Sequence, residues 1–337
     1  MFELPSVVQW KTLFGISEKL RIMEPWKHYK NTEIITIKNK NSEEPLFCSI
    51  SGTQDECCGI SVYNGYQSLS GLFNILRAGI DPPFHTVIGN QQCLTAYFGE
   101  KKLMGQGDFG AMEYCEYVPR TGLMNQIFFR TYEPGLAPWY IDAQESQILI
   151  DALESLYQGL KKAENQNLSM HKGETLLITQ VDYDNYELSL TPLPSFTLEE
   201  KVLEIKDELY IAKLKKLPRS SLAMEVDLAY LTNPVAGKLS ARPIFPRIII
   251  VANHDEGTVE NQIILDEEAN EVDELLTFLT DSFREIGRPR LLIIRKEGIK
   301  NRISDLCKKI NVPIEERSNL EIIDDFLGLV GNYHPEK

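Results

Sequence analysis

The sequence predicts an α+β protein of two domains, each a mainly antiparallel sheet with helices packed on one side. Three observations lead there. A chain of 337 residues, 43% hydrophobic and 25% charged, has the length of two ordinary domains and the composition of a protein that buries a core. Short apolar runs bounded by Gly, Asn, Asp or Pro come in groups, instead of alternating one by one with helices. Residues 163–173, AENQNLSMHKG, are small and polar and read as a linker, which sets the domains at 1–165 and 166–337.

The first domain opens with a helix over 5–22, whose buried stripe draws on Val8, Trp10, Leu13, Phe14, Leu20 and Ile22. Pro25 ends it, because a residue before proline avoids the helical region. Strands follow at 33–38, 46–51 and 59–63, a helix at 67–78, and strands at 94–100 and 126–132. A helix over 143–162 closes the domain, with Ile148, Leu149, Ala152, Leu153, Leu156 and Leu160 at helical period. The second domain begins with a hairpin, 175–181 and 186–191 around the turn 182–185, and continues with strands at 208–214 and 222–231. From 242 to 316 the pattern is strand, turn, strand, long helix, strand, helix, strand. The long helix, 268–286, carries Val272, Leu275, Leu276, Leu279, Phe283 and Ile286 on one face, and Gly287 then Pro289 stop it.

Composition excludes several functions. A formal net charge of −14 argues against binding a phosphate backbone, which needs clustered Lys and Arg. No apolar run approaches the roughly 18–20 residues that cross a bilayer, and the first residues lack the pattern of a secretion signal, so a cytoplasmic, membrane-free protein is expected. The six cysteines form no CxxC pair and read as cytosolic thiols. No cofactor and no metal site is expected. A protein partner or a small ligand remains the expected occupant of any site, and the oligomeric state is open.

Each motif has a plain structural explanation. Gly105-Gln106-Gly107-Asp108-Phe109-Gly110 matches GxGxxG, but a dinucleotide fingerprint needs a buried strand before it and a helix after it. Charged residues 100–102 precede it and strand-like residues 113–117 follow, so it reads as a glycine-rich loop. Vicinal Cys57 and Cys58 would point to opposite faces of a strand and cannot both hold one metal. Ser68 near a helix start reads as a cap. The segment 129–140 stops a strand, bends at Pro134, Gly135 and Pro138, and presents Trp139 and Tyr140. With Trp26, also beside a proline, these form either a closed core corner or an aromatic groove for a peptide or small ligand.

For a ligand site in the second domain, strands 246–252 and 290–295 are expected to lie parallel, joined by the long helix. Their carboxyl ends would open into one crevice holding Asn253, His254, Arg295 and Lys296, with a preference for an anionic group. Pairing of Arg295 and Lys296 with neighbouring acids such as Asp255 and Glu256 is the plain alternative. His254 has no catalytic partner close in sequence.

Residues 24–26, 47–52 with 59–65, 129–139, 224–227 and 242–247 together resemble a group of bacterial proteins built from two adjacent domains of unknown function. That resemblance implies no catalytic residue. Residues 324–337 hold no cysteine, so the Cys-rich metal-binding tail of some similar proteins is not implied either. The element order over 246–315 resembles part of a ribonuclease-H-like core. Such nucleases place metal-binding acids on the first strand and at the end of the next parallel strand. The corresponding places hold Ala252-Asn253 and Arg295-Lys296, which implies a catalytically inactive copy. Two functional readings stand: a non-enzymatic interaction or regulatory module, and a hydrolase or nuclease whose catalytic residues are scattered in sequence.

Overall fold

The computed structural model describes residues 3–39, 44–52, 57–79, 81–119, 126–166, 168–182, 185–195, 202–239, 241–295 and 298–331. It divides into two compact units, one running to Leu198 apart from Gly135–Ala137, the other made of those three residues and 199–337.

In the first unit, β1 (Ile35–Lys38), β2 (Leu46–Ser51), β3 (Cys58–Asn64), β4 (Cys93–Gly99), β5 (Gln126–Tyr132), β6 (Glu174–Asp182) and β7 (Asn185–Pro192) form one sheet in the order β5-β4-β3-β2-β1-β6-β7. Every neighbouring pair is antiparallel except β1 with β6. Alternation along each strand sends Cys48, Ile50, Ile60 and Val62 to one face and Phe47 and Tyr63 to the other. On the first face pack α1 (Val7–Met23), α4 (Gln106–Tyr114) and α5 (Ala143–Gln166), through Leu13, Phe14, Met112, Leu149 and Leu153. On the second pack α2 (Gly65–Arg77), through Leu69 and Leu72, and beside it α3 (Phe84–Asn90).

In the second unit, α6 (Glu208–Lys215) precedes β8 (Ala223–Tyr230), the hairpin β9 (Arg247–Asn253) and β10 (Thr258–Ile264), then α7 (Glu271–Ile286), β11 (Leu291–Arg295), α8 (Lys300–Ile310), β12 (Ile314–Arg317) and α9 (Glu321–Gly331). The sheet runs β10-β9-β8-β11-β12, with β8 at its centre. β8–β9 and β9–β10 are antiparallel, whereas β8–β11 and β11–β12 are parallel. Met224, Val226, Ile249 and Val251 face α6, α7 and α8, while Ala223, Ile250 and Ala252 face α9 through Leu320, Ile323 and Leu327. α7 is begun by Asn270, whose side-chain oxygen accepts the Val272 and Asp273 N–H groups, and ended by Gly287 at φ 85°.

The α+β, two-unit reading stands, with four corrections of detail. The hairpin β6–β7 belongs to the first unit because β6 completes the open edge of β1, so the sheet continues past residue 165. Helices cover both faces of each sheet, and the second sheet is as much parallel as antiparallel. Residues 208–214 form a helix instead of a strand: Asp207 caps it at Tyr210 N–H (2.9 Å), and Ile211 and Leu214 bury one face at helical spacing. Finally, residues 246–252 and 290–295 are not neighbours. β8 lies between them and β9 runs antiparallel to it, so the carboxyl ends of β9 and β11 point to opposite ends of the sheet.

Candidate functional site

The central strand of the second unit carries two acids on its α9 face, Glu225 (1% exposed) and Asp227 (3% exposed). Both faces of β8 are covered, so these carboxylates are interior groups and need partners. Arg295, at the end of neighbouring β11, donates from Nε to Asp227 Oδ2 at 2.9 Å and from Nη2 to Asp324 Oδ1 of α9 at 2.7 Å. One guanidinium therefore fills the space between two carboxylates from different elements. Burial pushes the Asp227 carboxyl up, and the Arg295 charge pulls it back only in part. Burial works against the Arg295 charge as well, but Asp227 and Asp324 more than offset that and raise its pKa.

Glu225 makes a second junction. Its Oε1 lies 2.7 Å from His254 Nδ1, and its Oε2 accepts the Ile322 and Ile323 N–H groups at the start of α9. His254 Nε2 meets Arg317 Nη1 at 3.1 Å. A guanidinium only donates, so Nε2 accepts and the imidazole proton sits on Nδ1, facing Glu225. Asn253 is buried and serves the turn, its Oδ1 accepting the Asp255 and Glu256 N–H groups at 3.2 Å. Asp255 accepts Ala223 N–H and Arg290 Nη2, both at 2.8 Å, and these bonds hold its carboxyl below the usual range.

The four residues read from sequence are therefore not one cluster. Asn253, paired with Met224, and His254 lie beside the start of β8, Arg295 follows Ile294, which pairs with Val226 further along the sheet, and Lys296 lies outside the described residues. Glu225, Asp227 and Asp324 were missed as site residues. The signal for Glu225 and Asp227 is an apolar strand, AMEVDLAY, with acids at alternate positions, a pattern that reads as a solvated face; Asp324, on α9, has no such signal.

In the first unit, Trp26 packs on Phe98 (5.0 Å between ring centroids), within the face of α1 and α5. Trp139 and Tyr140 meet edge to face at 5.5 Å. Tyr140 covers Arg130, whose guanidinium is held between the Tyr140 and Phe128 rings, 5.0 Å from each centroid, on the opposite face of the sheet. Arg130 also forms a two-bond ion pair with buried Asp108, 2.7 Å on each side. Asp108 Oδ2 accepts Gly105 N–H and so starts α4 within the glycine-rich segment, which is helical and not a loop. Gly107 donates to Tyr140 Oη, and a Cβ there would lie 2.7 Å from the ring. Gly105 and Gly107 make room for Tyr140.

Among the described residues no group of three or more His, Cys, Asp or Glu side chains is placed to hold a metal ion, and no helix is long and apolar enough to cross a membrane. Residues 10–179 match the family described as a domain of unknown function, DUF7309, and residues 210–328 match a second, DUF6930. No curated protein and no solved structure matches the chain.

Proposed function

The chain belongs to the DUF7309 family, and we propose that its second unit is a ribonuclease-H-like scaffold serving as a non-enzymatic, cytoplasmic interaction or regulatory module. The strand order supports the scaffold: an antiparallel hairpin on one side of β8, and two parallel strands, each followed by a helix, on the other. The observation that carries the functional reading is Arg295, set 2.9 Å from Asp227 and 2.7 Å from Asp324. A two-metal site needs free carboxylate oxygens facing a shared cation. Here the chain supplies the cation itself, so these residues do not fit a metal pair, and the bridge ties β8, β11 and α9 together instead. Purified protein, given Mg²⁺ or Mn²⁺ with single-stranded, duplex and hybrid nucleic acids, is expected to release no more product than buffer. Hydrolysis that disappears in Asp227→Asn would overturn the proposal.

One observation favours a hydrolytic reading. A buried carboxylate orienting an imidazole, as Glu225 orients His254, is the arrangement of a general base. Arg317 stands against the nitrogen that would take the proton, so a substrate would have to displace it. Ester hydrolysis lost in His254→Asn, with the fold retained, would favour this reading over the first.

A further inference from the structure

We propose that β10 is the seat of a twofold dimer in which the sheets of two copies of this chain join edge to edge. An exposed strand edge offers unpaired N–H and C=O groups, and proteins protect such edges with charges, prolines or covering segments. The other edges described here have that protection. β12 reads Ile-Glu-Glu-Arg, β7 carries Glu187 and ends in Pro192, and the outer side of β5 is bridged by Trp139 at Thr131. β10, Thr-Val-Glu-Asn-Gln-Ile-Ile, has no Lys, Arg or Pro, and among the described residues it pairs with β9 alone. Ile263 is 37% and Ile264 60% exposed, and α9, which packs on the same strand, leaves Leu329 75% exposed.

The hydrogen-bond phase fixes how a second copy would pair. Leu265 N–H donates inward to Arg247 C=O at 2.8 Å, so Ile263 and Asn261 also turn their backbone groups toward β9. Gln262 and Ile264 turn theirs outward; the Gln262 N–H donates to Asn261 Oδ1 at 2.9 Å, a local bond that a second copy replaces with the Ile264 carbonyl. An antiparallel twofold centred on Ile263 then matches Gln262 of each copy with Ile264 of the other, giving paired N–H···O=C bonds. It also sets Ile263 against its own copy at the close, non-hydrogen-bonded spacing. Glu260, the one charged residue of β10, lies where the β9 pairing shifts register, outside this ladder. Two molecules of net charge −14 thus meet at a neutral, self-complementary strand, which is why a second copy and not a charged peptide is the occupant.

The test uses the full chain. Light scattering across a concentration series should show the mass of two chains, falling to one in Ile263→Lys and in Gln262→Pro with the circular dichroism unchanged. Ile263→Cys should form an intermolecular disulfide on mild oxidation, while the wild type gives none. A single-chain mass at every concentration would overturn the proposal. So would a dimer that survives both Ile263→Lys and Gln262→Pro, or an Ile263→Cys protein that does not cross-link.

Discussion

Asp227 and Arg295 form a buried ion pair that joins β8 to β11. Removing one member of a buried ion pair strands the other charge, at a cost of about 3–5 kcal/mol. Arg295→Met strands both carboxylates and should lower unfolding stability by about that amount, read from denaturant midpoints; Asp227→Asn leaves Arg295 paired with Asp324 and should cost less, and the double variant should cost less than the two losses added. The acid also sets a pH dependence. Its folded pKa lies above the unfolded value, so the folded state holds that proton more tightly. The resulting contribution is full below the unfolded pKa and is lost as pH rises through the folded one. Wild type measured against Asp227→Asn should therefore gain relative stability as pH falls from 7 toward 4, and a relative loss would contradict the assignment. Thiols offer a separate check. Burial pushes Cys48 and Cys307 up to about 12 and Cys57 to about 11. None of the three should react with a thiol-specific disulfide reagent at pH 8 until the protein is unfolded.

Single helices carry contrasts that glycine substitutions can read. Gly15 of α1 has nothing within 4 Å of a new Cβ, whereas a Cβ on Gly159 of α5 would enter the Ile178 side chain of β6. Gly15→Ala should raise stability by about 0.5–1 kcal/mol, through helix propensity and lost unfolded-state freedom. Gly159→Ala should lower it by about 1–3 kcal/mol from overpacking. Equal effects at the two sites would show that α5 does not press on β6 as described. Legibility differed at this scale for physical reasons. α7 could be read because its apolar stripe and Gly287 stop agree, although the Asn270 cap starts it at Glu271 and not at 268. α6 could not, because Leu209, Ile211 and Leu214 among polar residues fit strand and helix periods alike over so short a run. α4 was hidden by glycines, of which Gly107 makes sense in a helix only once Tyr140 lies on it.

At the scale of the whole molecule, the division into two units was legible from length and composition, but its position was not. Residues 163–173 look like a linker because they are polar, yet the next strand returns to pair with β1, a contact more than 130 residues distant in sequence. No local pattern encodes such a return. A fragment ending at residue 165 leaves β1 paired with β2 alone, its β6 edge open, and should unfold without a cooperative transition, while one ending at 198 should show a sigmoidal melt. The candidate site was hidden for the same reason. Glu225 and Asp227 acquire meaning only when β8 becomes the central strand and α9 crosses it, whereas the apolar run 246–252 by itself reads as the first strand.

The Asp227–Asp324 pair is closed by the protein's own cation, Arg295. Thermal unfolding of the wild-type chain with and without 10 mM Mn²⁺ or Mg²⁺ tests it most directly (a concentration on the order of 100 times the Kd of a ~0.1 mM site). A metal held at such a site would add about 2.7 kcal/mol, a shift of several degrees in melting temperature. No shift specific to the divalent ion is expected beyond that of matched ionic strength. A rise of several degrees that Asp227→Asn abolishes would contradict it.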